Sequence, residues 1–208
     1  PCGRKGRRPG TPLMRLEDRE IVLASASPRR LELLRQLGLC PGVQPSEADE
    51  HSSERDPARF VQELARRKAG LVAATEAAGT LVIGADTVVV RDGVILGKPE
   101  DRTEAAKMLR SLQGRAHEVY TGVALLLAGE NKERVFAAET RVHVAPMTED
   151  EIQAYVDSGE PMDKAGAYGI QGRFACFVEK IEGEYSNVVG LPLAALRAAY
   201  KELVREHA

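Results

Sequence analysis

The stretch LVIGADTVVV, residues 81–90, is apolar except for Gly84, Asp86 and Thr87, and rich in β-branched side chains. A run of this kind reads as a strand buried on both faces, the sort that sits at the centre of an α/β sheet. Strand alternation puts Gly84, Asp86 and Val88 on one face and Ala85, Thr87 and Val89 on the other. Arg91-Asp92-Gly93 then turns the chain into VILGK. Upstream, Ile21–Ser25 is a short apolar strand leading to a helix that opens at Pro28 and ends near Gly38, and Asp56-Pro57 opens a second helix running to about Ala78. Downstream, a third helix over Thr103–Gln113 stops at Gly114, and strands Val119–Leu127 and Val135–Val144 are joined through GENKER. Thr148 with Glu151 forms a capping box for a fourth helix ending at Ser158-Gly159. The glycine-rich DKAGAYGIQGR precedes a strand at Phe174–Ile181, Glu182-Gly183 turns into a further extended piece, and a helix from Pro192 closes the chain. Strands alternating with helices give an α/β fold.

Composition narrows the function classes. With 43% hydrophobic and 29% charged residues over 208 positions, the chain has the make-up of an ordinary globular protein. No apolar run approaches the roughly 20 residues of a membrane-spanning helix, so no membrane partner is expected. Cys2, Cys40 and Cys176 are scattered and odd in number, which fits neither a disulfide framework nor a zinc site and places the chain in a reducing cytoplasm. The first thirteen residues carry four basic side chains and no acid, and read as a disordered leader or appended extension ahead of a single domain over 14–208. Setting those four charges aside takes the formal net charge from −2 to −6, which argues against a stable nucleic-acid complex. His51, His117, His143 and His207 show no metal-ligand spacing.

Several residues sit where structure alone would not put them. Ser27 is a good N-cap and Pro28 a good first residue, so Arg29 and Arg30 fall in the first turn of their helix, an end that already carries partial positive charge. That turn offers backbone N–H groups to an anion, and two arginines there become sensible if a polyphosphate neutralises them. Asp86 in a buried strand needs a cation, a metal or hydrogen bonds; a satisfied structural Asp and a metal-binding or catalytic one are both open. Gly84, on the same face, leaves room for something to approach. Lys68 lies on the apolar stripe of the second helix with Phe60, Val61, Leu64, Leu71 and Val72, and either snorkels or serves a site. Lys98 in LGKPE is no P-loop lysine, because Pro99 stands where that motif needs Ser or Thr. The acidic segment SEADEHSSERD (46–56) is either a solvated loop or the source of a carboxylate, Asp49 or Glu50. With Asp86, that carboxylate would make the hard oxygen site that Mg²⁺ prefers. Gln171, in the glycine-rich loop, can offer a ligand both an acceptor and donors.

Taken together, LASASPRRLELL, IGADTVVV, LGKPED, MLRSLQGRAHEVYTGV, EPMDKAGAYGIQG and VVGLPL resemble the Maf family of nucleoside triphosphate pyrophosphatases, in order from about residue 20 to the end. The resemblance implies a two-lobed α/β fold, related to inosine triphosphatase, around a central mixed, twisted sheet flanked by helices, with the nucleotide in the cleft. It implies cleavage between the α and β phosphates with a divalent metal, Mg²⁺ or Mn²⁺, and a homodimer. Ser25, Arg29 and Arg30 match the family's phosphate-binding turn, Lys68 and Lys98 its cleft lysines, and Asp86 the carboxylate regarded as proton acceptor and metal-site residue. Glu50, or Asp49, matches the second metal-side carboxylate. Arg29, Thr87 and Gln171 resemble the subgroup acting on dTTP and UTP, including modified pyrimidine nucleotides in a house-cleaning role. A non-catalytic nucleotide sensor or cell-division regulator is the alternative.

Overall fold

The computed structural model describes residues 19–205, so the basic stretch 1–13 lies outside the described residues. The elements run β1 (Ile21–Leu23), α1 (Pro28–Gln36), β2 (Gly42–Val43), α2 (Pro57–Ala73), β3 (Leu81–Arg91), β4 (Val94–Leu96), α3 (Arg102–Leu112), β5 (Ala116–Leu127), β6 (Glu133–Val144), α4 (Glu149–Asp157), β7 (Val178–Glu182), α5 (Tyr185–Val189) and α6 (Leu193–Arg205). One seven-stranded sheet has the order β2-β1-β3-β5-β6-β7, with β4 also paired to β3. β1 runs parallel to β2 and β3 and every other pairing is antiparallel, so the sheet is mixed.

The expected alternation in β3 sorts the core into two layers. Leu81, Ile83, Ala85 and Val89 join the large cluster formed with α1, α3, α4, α5 and α6. Val82, Val88 and Val90 face the opposite way, onto Val61, Ala65, Ala69 and Val72 of α2. Helix α2 lies unusually close to the sheet. A Cβ on Gly84 would stand 2.4 Å from the Ala65 carbonyl oxygen, and one on Gly122 would stand 2.1 Å from that of Val61. What approaches at Gly84 is therefore the backbone of a helix. The glycines set the height at which α2 carries its side chains over β3.

Three boundaries differ from the sequence reading. Helix α2 stops at Ala73 rather than near Ala78, because the Thr75 hydroxyl donates to the Val72 carbonyl (2.9 Å) and ends the ladder. Residues 173–177 form a 3-10 turn, and the strand starts only at Val178. Phe174 is drawn inward there, its ring 4.5 Å from that of Tyr168 and 5.3 Å from that of Tyr155. The segment after Gly183 is the short helix α5 rather than an extended piece. Its Asn187 amide donates to the Val119 carbonyl and to Thr140 Oγ1, both at 3.0 Å, a docking by polar groups that an apolar pattern does not announce.

Candidate active site

Strand β1 covers one edge of β3 over Leu81–Ile83 and β4 covers the same edge over Val89–Arg91, while β5 fills the other edge. Between them, among the described residues, Gly84–Val88 has no strand on that edge. A cleft of about 830 Å³ opens there, with Asp86 and Thr87 turned to opposite faces of the sheet. The break in pairing thus brings consecutive residues of one strand into two different walls.

The first wall is built from α1. Ser27 caps the helix by accepting from the Arg30 N–H, and Pro28 occupies its first turn. The Arg30 side chain is then held by three bonds: Nε donates to the Gly190 carbonyl (2.8 Å), one Nη to Ser25 Oγ (3.0 Å) and the other to Thr87 Oγ1 (3.0 Å). All three acceptors are uncharged. Burial holds the Arg30 pKa below its ordinary value, against the pull of Asp86, yet a guanidinium remains charged in proteins. Arg29, beside it, pairs with Asp163 at 3.1 Å across the cleft, and Lys164 pairs with the same Asp163 at 2.5 Å.

The second wall is built from α2. Lys68, 8% exposed, lies on the buried stripe directly over Asp86. Its Nζ stands 2.7 Å from Asp86 Oδ1 and 2.6 Å from Glu50 Oε1. The hydrogen bond from Lys68 is the main cause that holds the Glu50 carboxyl below its ordinary range, with Lys98 and Arg30 assisting. Arg67, beside Lys68, donates to the carbonyls of Asp49 (2.5 Å) and His51 (2.8 Å) and so ties the acidic loop to α2. Asp49 spends its carboxylate on His51, by the backbone N–H and the ring, which leaves Glu50 as the loop carboxylate that lines the cleft.

Asp86 and Glu50 converge on one Nζ, and among the described residues no group of three His, Cys, Asp or Glu side chains could hold a metal alone. Two carboxylates with no further protein ligand suit Mg²⁺ or Mn²⁺, hard cations that complete their shells with substrate phosphates and water. The residues present therefore fit a divalent cation bound jointly with an anionic ligand.

The profile of the family described as "Maf-like protein" matches residues 20–203. The chain belongs to the Maf family. Relatives within it include the dTTP/UTP pyrophosphatase of Symbiobacterium thermophilum, 55% identical over 84% of this chain and 89% of its own length. The dTTP/UTP pyrophosphatase of Pelotomaculum thermopropionicum is 54% identical over 88% and 96%, and that of Moorella thermoacetica 55% identical over 84% and 90%. Among solved structures, the Staphylococcus aureus Ham1 protein aligns at a TM-score of 0.47 and 15% identity, over 88% of this chain and 99% of that one.

In this Maf protein the cleft gathers the side chains singled out from sequence, Ser25, Arg29, Arg30, Glu50, Lys68, Asp86, Thr87, Lys98 and Gln171, but not Asp49, the alternative to Glu50. The Lys98 and Gln171 side chains make no hydrogen bond or ion pair among the described residues, and both are exposed. Three charged lining residues were not foreseen. Asp163, Lys164 and Glu160 sit in EPMDKAG, where charges beside glycines could have pointed to them. Glu160 braces the glycine-rich loop, accepting from Tyr155 Oη (2.9 Å) and from the Arg173 N–H (3.1 Å). No helix of the described residues is long and apolar enough to cross a membrane.

Proposed function

We propose that this chain hydrolyses nucleoside triphosphates, dTTP and UTP foremost, to the monophosphate and pyrophosphate. The observation that carries the reading is the pairing of two walls in one cleft: a guanidinium held only by neutral acceptors, opposite two carboxylates gathered on a lysine. The first suits a polyphosphate and the second suits activation of water. The names of the relatives supply the reaction class and the pyrimidine preference.

In this reading Arg30, with Ser25 and the N-terminal turn of α1, holds the phosphates, and Arg29, Lys98 and Lys68 add positive charge as the ligand arrives. Water attacks the α-phosphorus in line with the departing pyrophosphate. A phosphorus–oxygen bond forms to the water, the bond to the bridging oxygen breaks with its electrons, and Asp86 takes the water proton. A divalent cation held by Asp86 and Glu50 would supply charge stabilisation for the phosphoryl oxygens. Arg29, Thr87 and Gln171 set the nucleotide choice. A homodimer and a cytoplasmic house-cleaning role, the removal of modified pyrimidine nucleotides, belong to the same reading.

Incubating the protein with a panel of nucleoside triphosphates and Mg²⁺ or Mn²⁺, then separating the products, tests it. Monophosphate with pyrophosphate, fastest from dTTP and UTP, is expected. Diphosphate with phosphate would contradict the reaction, and no product from any nucleotide would favour a sensor.

A further inference from the structure

The three bonds that hold Arg30 do not stand alone. Thr87 Oγ1 accepts from Arg30 and lies 2.9 Å from Thr121 Oγ1, and Thr121 Oγ1 in turn donates to the Asn187 carbonyl (2.9 Å). An arginine only donates, and a hydroxyl has one hydrogen. Since the Thr121 hydrogen goes to the Asn187 carbonyl, the Thr87 hydrogen must go to Thr121. The chain therefore has one polarity, from guanidinium through two hydroxyls to a backbone carbonyl of α5.

Thr121 is fully buried and does not line the cleft. It lies in the middle of β5, directly across from Thr87. Valine would fill the same volume there and suits a strand at least as well. A buried hydroxyl carries a desolvation cost unless it is satisfied, and this one is satisfied on both sides by groups that lead to Arg30. On one side it fixes the rotor of Thr87, so that an oxygen lone pair always faces the guanidinium. On the other it ties down α5, and the residue that follows α5 is Gly190, whose carbonyl accepts from Arg30 Nε. Two of the three anchors of Arg30 thus converge on one side chain.

We propose that Thr121 is a positioning residue for Arg30: its hydroxyl presets the guanidinium for a polyphosphate by holding Thr87 and α5 together. The proposal rests on the reading of Arg30 as the phosphate clamp. The same hydroxyl leaves Thr87 able to accept from Arg30 but not to turn its hydrogen against it.

The test uses inorganic tripolyphosphate, whose binding needs no turnover and no base recognition, measured by calorimetry on wild type, Thr121→Val and Thr121→Ser. Loss of orientation at a charged hydrogen bond should weaken tripolyphosphate binding by Thr121→Val about tenfold. Thr121→Ser, which keeps the hydroxyl, should bind as wild type does. In an Arg30→Ala background Thr121→Val should weaken binding no further, and KM for UTP should rise in Thr121→Val more than kcat falls. A merely structural role would lower the melting temperature without this pattern. Equal binding by wild type and Thr121→Val, or an equal further loss in the Arg30→Ala background, would overturn the proposal alone. Wild type failing to bind tripolyphosphate would overturn the phosphate-site reading and the proposal with it. Should Thr121→Val not fold, Thr121→Cys carries the same expectation, because a thiol donates only weakly.

Discussion

On one side of β3, Arg30 is anchored by a carbonyl and two hydroxyls; on the other, Lys68 lies between two carboxylates. Adjacent residues of the same strand, Thr87 and Asp86, supply one partner to each. Neutral acceptors fix a cation in place without cancelling its charge, so the Arg30 wall stays electropositive and rigid. Two carboxylates outnumber Lys68 by one, so that wall is net negative and attracts a cation, whose arrival releases Lys68 toward the phosphates. The cleft is thereby polarised across a single strand, anion side against cation side, before any ligand arrives. The same residue types arranged the other way, with Arg30 on a carboxylate, would form a satisfied ion pair with little attraction left for a polyphosphate.

The largest effect should come from the carboxylate wall. Asp86→Asn keeps the size and most hydrogen bonding of the side chain but removes its basicity, and turnover of dTTP should fall by at least about 100-fold. Circular dichroism and melting should be close to wild type, and near wild-type hydrolysis would break the contrast between the walls. Arg30→Ala should act on the other quantity. Loss of charge-assisted hydrogen bonds to phosphate should raise KM for nucleotides roughly 10- to 100-fold, with a smaller change in kcat, as steady-state kinetics would show.

How much of this contrast lay open in the sequence differs from residue to residue. Ser27 and Pro28 mark the start of α1 by local chemistry alone, which is why Arg29 and Arg30 could be placed in its first turn. Asp86 and Lys68 were legible because each is a charged residue on a face that strand or helix periodicity assigns to the core. Glu50 could not be separated from Asp49, since only the turn of the loop that joins Asp49 to His51 decides between them. Gly84 was read as leaving room for something to approach, and what approaches is α2, because a glycine records close approach but not what approaches. Thr121, Asn187 and the short helix α5 left no mark, since threonine is an ordinary strand residue and its burial depends on a segment 66 positions away. Asp163 was missed for the same reason: its partner Arg29 is 134 residues distant.

Two pH experiments sharpen the contrast further. On β5, His117 is fully buried with Nε2 2.7 Å from Tyr168 Oη, and Tyr168 lines the cleft. Burial, helped by His143, pulls its pKa from 6.5 down to about 4. The unfolded histidine takes a proton in that interval and the folded one does not. Its contribution is therefore present above pH 6.5 and lost as pH falls toward about 4, by up to about 3 kcal/mol. Urea unfolding across this window should show a shallower loss in His117→Gln than in wild type. On the Lys68 wall the window is more acidic and the effect smaller. The Glu50 pKa is depressed below its ordinary 4.5, so the pair with Lys68 contributes above that pH and is lost as pH falls through the folded value. With the Glu50 side chain 62% exposed, Glu50→Gln should lower the melting temperature only slightly at neutral pH, and the difference should shrink below pH 4.5 and vanish once pH is under the folded value.

Calorimetric binding of a UTP analogue whose α and β phosphorus atoms are joined through carbon and so resist cleavage, with Mg²⁺ present and with Asp86→Asn and Arg30→Ala compared directly with wild type, tests the polarised cleft most directly. Asp86→Asn should bind the analogue within a few-fold of wild type while failing to cleave UTP, and Arg30→Ala should lose most of the affinity. Equal losses of affinity in the two variants would contradict a division of labour between the walls.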